Sequence, residues 1–405
     1  MGTSAQGLTT GDRTGPAGPG TEVPFFSQAD SFRELWPLIS RHVGEVFDRG
    51  KFSHGRKVAE LERAIRDYTG ARHAIAVNSG TDALVLLLRA AGIGPGDEVI
   101  VPAFTFFASA SAVTLARATP VFADITPDGD YGMDAASFES KITERTRAVL
   151  PVHLFSQLAD MAAIDEVAKR HGLLVLEDSA EAIGMRWDGT HAGLLGAGGV
   201  LSFFPSKTLG AVGDAGMILT DDEEIAERAG TLRHHGRMGK TIDHIAGISN
   251  LSGASGTNSK MDDIQAAVLV AKLSRLDEDI VRRRRLADAY TERLSGVDGV
   301  LAVPRLLPRA VPSDPVFYVY LIEVERRDAL VDHLTRRGIG TETYYPRPLH
   351  HQPAYAPADG SPPPSLPNAE AASGRTVALP LYPDLTEEQV ETVCAAIVDF
   401  YAGRQ

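Results

Sequence analysis

Ser202-Phe203-Phe204-Pro205-Ser206-Lys207 ends an apolar run, and the glycine-rich stretch Gly210-Ala211-Val212-Gly213-Asp214-Ala215-Gly216 follows almost at once. Val200 to Phe204 predicts a strand, so the lysine stands just past a strand end, where glycines let the backbone turn tightly. An amine in that place suits covalent chemistry. Alone it carries little weight, because most lysines are solvated surface residues. The unit before it supplies a partner: Leu173-Leu174-Val175-Leu176 reads as another strand and leads into Glu177-Asp178-Ser179-Ala180-Glu181-Ala182.

The same alternation continues outward from these two units. Ala74-Ile75-Ala76-Val77, Glu98-Val99-Ile100-Val101 after the turn Gly94-Pro95-Gly96-Asp97, Pro120-Val121-Phe122-Ala123, Ala148-Val149-Leu150 and Met217-Ile218-Leu219 read as strands. Asp82 to Ala91 predicts a helix apolar on most sides, and Val58, Leu61, Ile65 and Tyr68 recur at helical spacing. Strands alternating with helices predict an α/β fold with a mostly parallel sheet. This large domain is expected over residues 25–275. Beyond it come a long helix from Asp277 to Leu294, a strand from Val316 to Val324, and helices Asp328 to Arg337 and Glu387 to Tyr401. They predict a smaller α+β C-terminal domain over residues 276–405, with a proline-rich loop from Pro357 to Pro367. The run Arg282-Arg283-Arg284-Arg285 on the long helix reads as a solvated face beside neighbouring acids. Residues 1–24, rich in Gly, Thr and Ser, read as a disordered tail without the apolar core of a signal peptide.

The bulk numbers exclude several classes. The 405 residues are 43% hydrophobic and 23% charged, an ordinary globular balance. The formal net charge of −13 repels polyanions, so nucleic acid is not an expected partner and a phosphate-bearing ligand must be held by local groups. Cys394 is the single cysteine, which excludes an intrachain disulfide and a thiolate metal cluster and suits a reducing cytoplasm. No metal site is expected. No apolar stretch is long enough to form a membrane-spanning helix.

Four constellations carry chemistry. Asn78-Ser79-Gly80-Thr81, between a strand and a helix, offers backbone N–H groups and a hydroxyl to an anion, although a plain helix cap would read the same way. Pro102-Ala103-Phe104-Thr105-Phe106-Phe107 places aromatic rings past a strand end, where α/β ligand crevices lie. Asp178 could hold a proton on a pyridine nitrogen and Glu181 could reach a ring hydroxyl, unless both carboxylates only cap a helix. Ser202 could bond a phosphate, and Lys207 could form a Schiff base with an aldehyde. Together they suit a pyridoxal phosphate enzyme.

From about Pro24 to Tyr401 the sequence resembles the sugar aminotransferases of the DegT/DnrJ/EryC1/StrS family, which have the aspartate aminotransferase fold, fold type I. The matching segments are Asn78 to Leu84, Gly96 to Pro102, Glu177-Asp178, Ser202 to Lys207, Gly256 to Asp262, and Tyr345-Pro346-Arg347-Pro348-Leu349-His350. The resemblance implies Lys207 as Schiff-base lysine and proton shuttle, and Asp178 as partner of the pyridine nitrogen. It puts Gly80, Thr81 and Ser202 at the cofactor phosphate and Phe106 on the ring. It further implies a homodimer in which Asn258 to Lys260 reach the phosphate in the neighbouring subunit. His235, Lys240, His244, Tyr345 and His350 fall in regions comparable to the family's sugar-nucleotide site.

The chain departs from the family pattern in places. Glu181 stands where glutamine is common, Lys260 replaces a forked arginine with a point charge, and Gly213-Asp214-Ala215-Gly216 replaces a doubled-glycine form. Residues 245–257 read as a longer loop. Lysine rather than histidine at 207 argues for transamination over the family's dehydratase branch. Asn258-Ser259-Lys260-Met261-Asp262 resembles the 3-keto branch. The expectation is an aminotransferase that aminates a nucleotide-linked keto-hexose, with glutamate as donor and pyridoxamine phosphate formed during turnover, in secondary-metabolite (antibiotic) or glycan sugar biosynthesis. A 4-keto sugar, a cyclic ketone or a non-catalytic binding role are the alternatives.

Overall fold

The computed structural model describes residues 22–127, 129–237, 251–307, 313–357 and 359–403. Helices α1 (Ala29–Arg49) and α2 (Arg56–Thr69) precede strand β1 (His73–Val77), α3 (Gly80–Ala90), β2 (Glu98–Pro102), α4 (Phe107–Leu115), β3 (Thr119–Ala123), α5 (Ala135–Ser140), β4 (Thr146–Val149), α6 (Met161–His171) and β5 (Leu174–Asp178). Then come the short strands β6 (Arg186–Trp187) and β7 (Thr190–His191), followed by β8 (Gly198–Ser202), β9 (Gly216–Thr220), α7 (Glu223–Leu232), α8 (Asp263–Leu273) and α9 (Leu276–Leu294). The chain closes with β10 (Val300–Ala302), β11 (Ser313–Asp314), β12 (Tyr320–Val324), α10 (Arg327–Arg336), α11 (Pro367–Arg375), β13 (Thr376–Leu379) and α12 (Glu387–Tyr401).

Seven strands form the central sheet in the order β1-β9-β8-β5-β4-β2-β3. Strand β9 runs antiparallel to both of its neighbours, and the other six share one direction. Strand β2 is buried at every residue, as a strand covered by helices on both faces must be. Alternating side chains divide the sheet into two faces. Val200 and Ile218 join Leu84, Leu87 and Val113 in one core, whereas Leu201, Met217 and Leu219 join Leu61, Ile65 and Leu269 in another. A three-stranded antiparallel sheet, β10-β12-β13, packs with α9, α10 and α12 around Tyr290, Tyr320, Ile322 and Ile397.

Six strand ends point the same way, so the loops after β1, β2, β5 and β8 meet at one edge of the sheet. Two glycines make that meeting close. A Cβ on Gly216 would lie 2.4 Å from the Ser79 carbonyl carbon, and one on Gly80 would lie 2.8 Å from Ser202 Cβ.

Three sequence expectations change. Residues 1–21 lie outside the described residues, but Val23 is fully buried in the C-terminal core, where it exchanges backbone hydrogen bonds with Gly338 and Gly340. The segment assigned to the end of the tail is therefore packed. Residues 316–318 do not join strand β12: Val316 and Tyr318 donate to the carbonyls of Ser156 and Phe155 instead. Arg283 does not lie on a solvated face. It is fully buried and donates to the carbonyls of Tyr318 (3.0 Å) and Leu381 (2.8 Å), and burial pulls its pKa down to about 10.

Gly216→Ala should cost about 1–3 kcal/mol through overpacking and lower Tm by several degrees. Gly44→Ala, inside α1 with nothing within 4 Å of the new Cβ, should hold or raise it. Thermal unfolding of the two variants against the parent chain checks the contrast.

Candidate active site

The converging loops enclose a cavity of about 340 Å³, within the size range of small-ligand sites. Ser79, Gly80 and Thr81 line it at the N-terminus of α3, Phe106 at the start of α4, Asp178 and Glu181 at and after the end of β5, and Ser202 and Lys207 at and after the end of β8. Tyr345 also lines it. Both readings of the first motif coexist: Ser79 Oγ caps α3 by accepting from the Asp82 N–H at 3.1 Å, while the remaining first-turn N–H groups have no intrahelical acceptor. Phe106 is 60% exposed and lines the cavity.

Asp178 ends β5 almost completely buried, at 4% exposure. No helix follows it, so the capping alternative fails. Its carboxylate accepts from Ser109 Oγ at 2.7 Å and from the Ala180 N–H at 3.2 Å. Burial raises its pKa, and those two hydrogen bonds together with the charges of Lys207 and His153 only partly offset that. A buried acid in this state favours a cationic partner.

The Lys207 amine donates to Glu181 Oε1 at 3.1 Å. Burial opposes its charge, but Glu181, then Tyr318 and Asp178, outweigh it, so the pKa lies above that of an ordinary lysine. The other Glu181 oxygen accepts from the Phe155 N–H at 3.0 Å. Both oxygens are therefore acceptors, and Glu181 serves as a carboxylate that a glutamine could copy only on one side.

Sequence reasoning gave no role to Ser109, Tyr318, His153 and Glu177. Ser109 sits one turn into α4, where a serine carries no distinguishing signal. Glu177 is fully buried and accepts from the N–H groups of Gly193, Leu195 and Gly196 at 2.7–2.8 Å. His153 Nδ1 accepts from the Ala159 N–H, which leaves Nε2 to donate to Glu177 at 2.9 Å. The pair ties the β4–α6 and β7–β8 loops to the end of β5.

Other expected residues lie elsewhere. Asn258 and Lys260 bond to each other on the surface and do not line this chain's cavity. Burial and the neighbouring Arg237 and Arg233 lower the Lys260 pKa. His235 is exposed with φ at 59°. His350 is buried outside the cavity, 3.3 Å from Glu370, and forms with His351 and Glu370 a group whose ligand atoms lie within 4.8 Å of one another. Lys240, His244 and residues 245–250 of the long loop fall outside the described residues.

A profile of the DegT/DnrJ/EryC1/StrS aminotransferase family matches residues 37–398. The chain belongs to this family of aminotransferases. It is 41% identical over 377 residues to a dTDP-3-amino-3,4,6-trideoxy-alpha-D-glucose transaminase of Streptomyces venezuelae, covering 93% of this chain and 95% of that one. It is 43% identical over 380 residues, 94% of this chain and 98% of the relative, to a protein of Geobacillus stearothermophilus called a pleiotropic regulatory protein. Among solved structures, S. venezuelae DesV in complex with a ketimine intermediate superposes with a TM-score of 0.87 at 40% identity, covering 94% of this chain and 98% of that one. The fold of this aminotransferase is the expected α/β fold type I.

Asp178 gives the first chemical test. Its raised pKa means that, between the ordinary carboxylate value and the raised one, the folded protein keeps a proton the unfolded chain has lost. Stability therefore falls as pH rises through that window and stays lower above it. In cofactor-free protein, Asp178→Asn should keep or raise Tm at pH 7 and flatten this dependence. Melting curves across acidic to neutral pH would contradict this if the variant lost several degrees at pH 7.

Proposed function

We propose that the chain is a pyridoxal phosphate-dependent aminotransferase that converts a nucleotide-linked 3-keto hexose to the aminosugar, with an amino acid such as L-glutamate as donor. The observation that carries this is one cavity walled by a lysine amine and a buried carboxylate, with a helix N-terminus and glycine at its edge. The residues fit the cofactor. The Gly80 and Thr81 N–H groups with the Thr81 and Ser202 hydroxyls suit a phosphate, Asp178 suits a protonated ring nitrogen, and Phe106 offers a ring face. Pyridoxal phosphate supplies an aldehyde that bonds reversibly to amines and a ring that accepts an electron pair.

Lys207 supplies the amine and moves the proton. Glu181, 3.1 Å from Nζ, is placed to take a proton when the amine must be neutral and to return it. Asp178 holds the ring-nitrogen proton because its burial makes an unpaired charge unfavourable. Phe106, Tyr318, Tyr344 and Tyr345 give the cavity an aromatic wall.

The name of the S. venezuelae relative, with amination at C3, supports the 3-keto assignment. An antibiotic or glycan sugar pathway in the cytoplasm is part of the same proposal. Among the described residues no helix is long and apolar enough to cross a membrane. The regulatory relative favours a second reading, a binding protein that keeps the fold. The intact Lys207 and Asp178 weigh against it.

A homodimer with shared sites completes the proposal, and residues 25–275 and 276–405 are taken as its two domains. Trp36, Phe47 and Phe52 expose large aromatic surfaces. The lining of the cavity holds Asp178, Glu181 and Asp214 against the single cation Lys207 among the described residues, so a phosphate draws on charge from another chain. Lys260, crowded by arginines, is suited to supply it.

Lys207→Ala should abolish multiple turnover and the visible absorption band that the cofactor gains on bonding to lysine. Retained turnover, or a wild-type protein that stays colourless with added pyridoxal phosphate, overturns the reading. The pyridoxamine phosphate form, offered nucleotide-linked 3-keto and 4-keto sugars, should regain that band with the 3-keto members. Mixed Lys207→Ala and Lys260→Glu proteins should recover activity that neither has alone, since one intact shared site forms in each mixed dimer. No recovery after subunit exchange contradicts the shared site.

A further inference from the structure

Tyr318 is held beside the working amine with unusual firmness. Lys207 Nζ lies over its ring, 4.1 Å from the centroid. The backbone of Tyr318 is fixed on both sides: its N–H donates to Phe155 at 2.8 Å and its carbonyl accepts from the buried Arg283 at 3.0 Å. Its hydroxyl lies 3.2 Å from Ser206 Oγ and 3.4 Å from the Tyr344 hydroxyl. Ser206 immediately precedes the lysine, so one tyrosine contacts both the amine and the segment that carries it. The side chain is buried, at 4% exposure.

The groups facing the amine come from four parts of the chain. Asp178 ends β5 and Glu181 follows it, Asp214 lines the cavity from the glycine-rich turn, Tyr344 and Tyr345 from the segment before α11, and Tyr318 from the approach to β12. Two of them contact Nζ, and they differ in kind. A carboxylate stabilises an ammonium but can also take its proton. An aromatic face stabilises the ammonium and accepts nothing.

We propose that Tyr318 is a catalytic residue whose ring face is the seat of the free Lys207 amine in its protonated form, during the interval between accepting a proton from the amino donor's α-carbon and delivering it. On acceptance the Nζ lone pair forms an N–H bond as the donor's C–H bond breaks, and that bond's electron pair remains with the donor-derived carbon framework. On delivery the N–H bond breaks and the lone pair returns to Nζ. The ring keeps the ammonium in place beside Glu181 and takes no proton itself. The seat joins the two halves of the chain, because Arg283 of α9 and Phe155 of the large sheet's loop both set its position. This inference rests on the reading of Lys207 as the working amine.

The test uses the full chain freed of cofactor. Reductive methylation by formaldehyde and cyanoborohydride proceeds on the neutral amine, so the rate at Lys207, read by mass spectrometry of its peptide against pH, reports its titration. A desolvated cation–π contact corresponds to roughly a thirtyfold change in the ammonium-to-amine ratio, about one and a half pH units. Tyr318→Leu should lower the midpoint by about that amount, and Tyr318→Phe should leave it close to the parent value. Should the leucine variant fail to fold, Tyr318→Phe bearing one, two or three ring fluorines decides: the face weakens stepwise at nearly constant shape, and the midpoint should fall stepwise with it. A midpoint unmoved across the fluorinated series overturns the proposal. The titration is independent of turnover, so a parent protein that lacks transaminase activity would overturn the functional reading and leave this measurement standing.

Discussion

Asp178 is a carboxylate kept almost wholly out of water, answered by one hydroxyl and one backbone N–H. Solvation strongly favours an exposed carboxylate, so the site places this acid where a cationic ligand gains most from meeting it. Much of the surrounding structure maintains that arrangement. Strand β5 carries Asp178 to the sheet edge, α4 presents Ser109, and the His153–Glu177 pair ties the neighbouring loops to the strand end. The same pair keeps Glu177 satisfied by three N–H groups, so the adjacent acid can remain the one with unmet demand.

Lys207 answers Asp178 from the next strand. The two groups reach one cavity because β5 and β8 are paired in parallel, with Asp178 opposite Val200 and Ser202 just beyond. The close approach depends on glycines: Gly216 passes beneath the Ser79–Gly80 peptide, and Gly80 leaves room for Ser202. The N-terminus of α3 and the lysine loop are therefore one packed unit. The proposed chemistry rests on that packing, which sets the amine, the acid and the helix N-terminus around one cavity.

Elements with long, regular apolar patterns were legible in the sequence. The β1, β2, β5 and β9 strands, helix α2 and the closing helix α12 fall within a residue or two of their expected bounds. Lys207, Asp178, Gly80, Thr81, Ser202, Phe106, Glu181 and Tyr345 were also legible, and the fold brings them to one cavity. Helix α1 was not, because Pro37 interrupts its pattern and Trp36 and Phe47 lie on its exposed side. Arg283 was hidden among four arginines, since its burial depends on carbonyls far away in the chain. Tyr318 was hidden for a related reason: its partners Phe155, Arg283, Ser206 and Lys207 are distant in sequence, and only tertiary packing brings them together.

The central claim is that Asp178 holds a proton on the ring nitrogen of the bound cofactor. Nitrogen-15 NMR of the protein loaded with cofactor labelled at that nitrogen tests it most directly. The account requires a protonated signal across the whole pH range in which the fold survives, and its loss in Asp178→Asn. A wild-type nitrogen that is unprotonated near pH 7, or one that titrates as it does free in water, would contradict it.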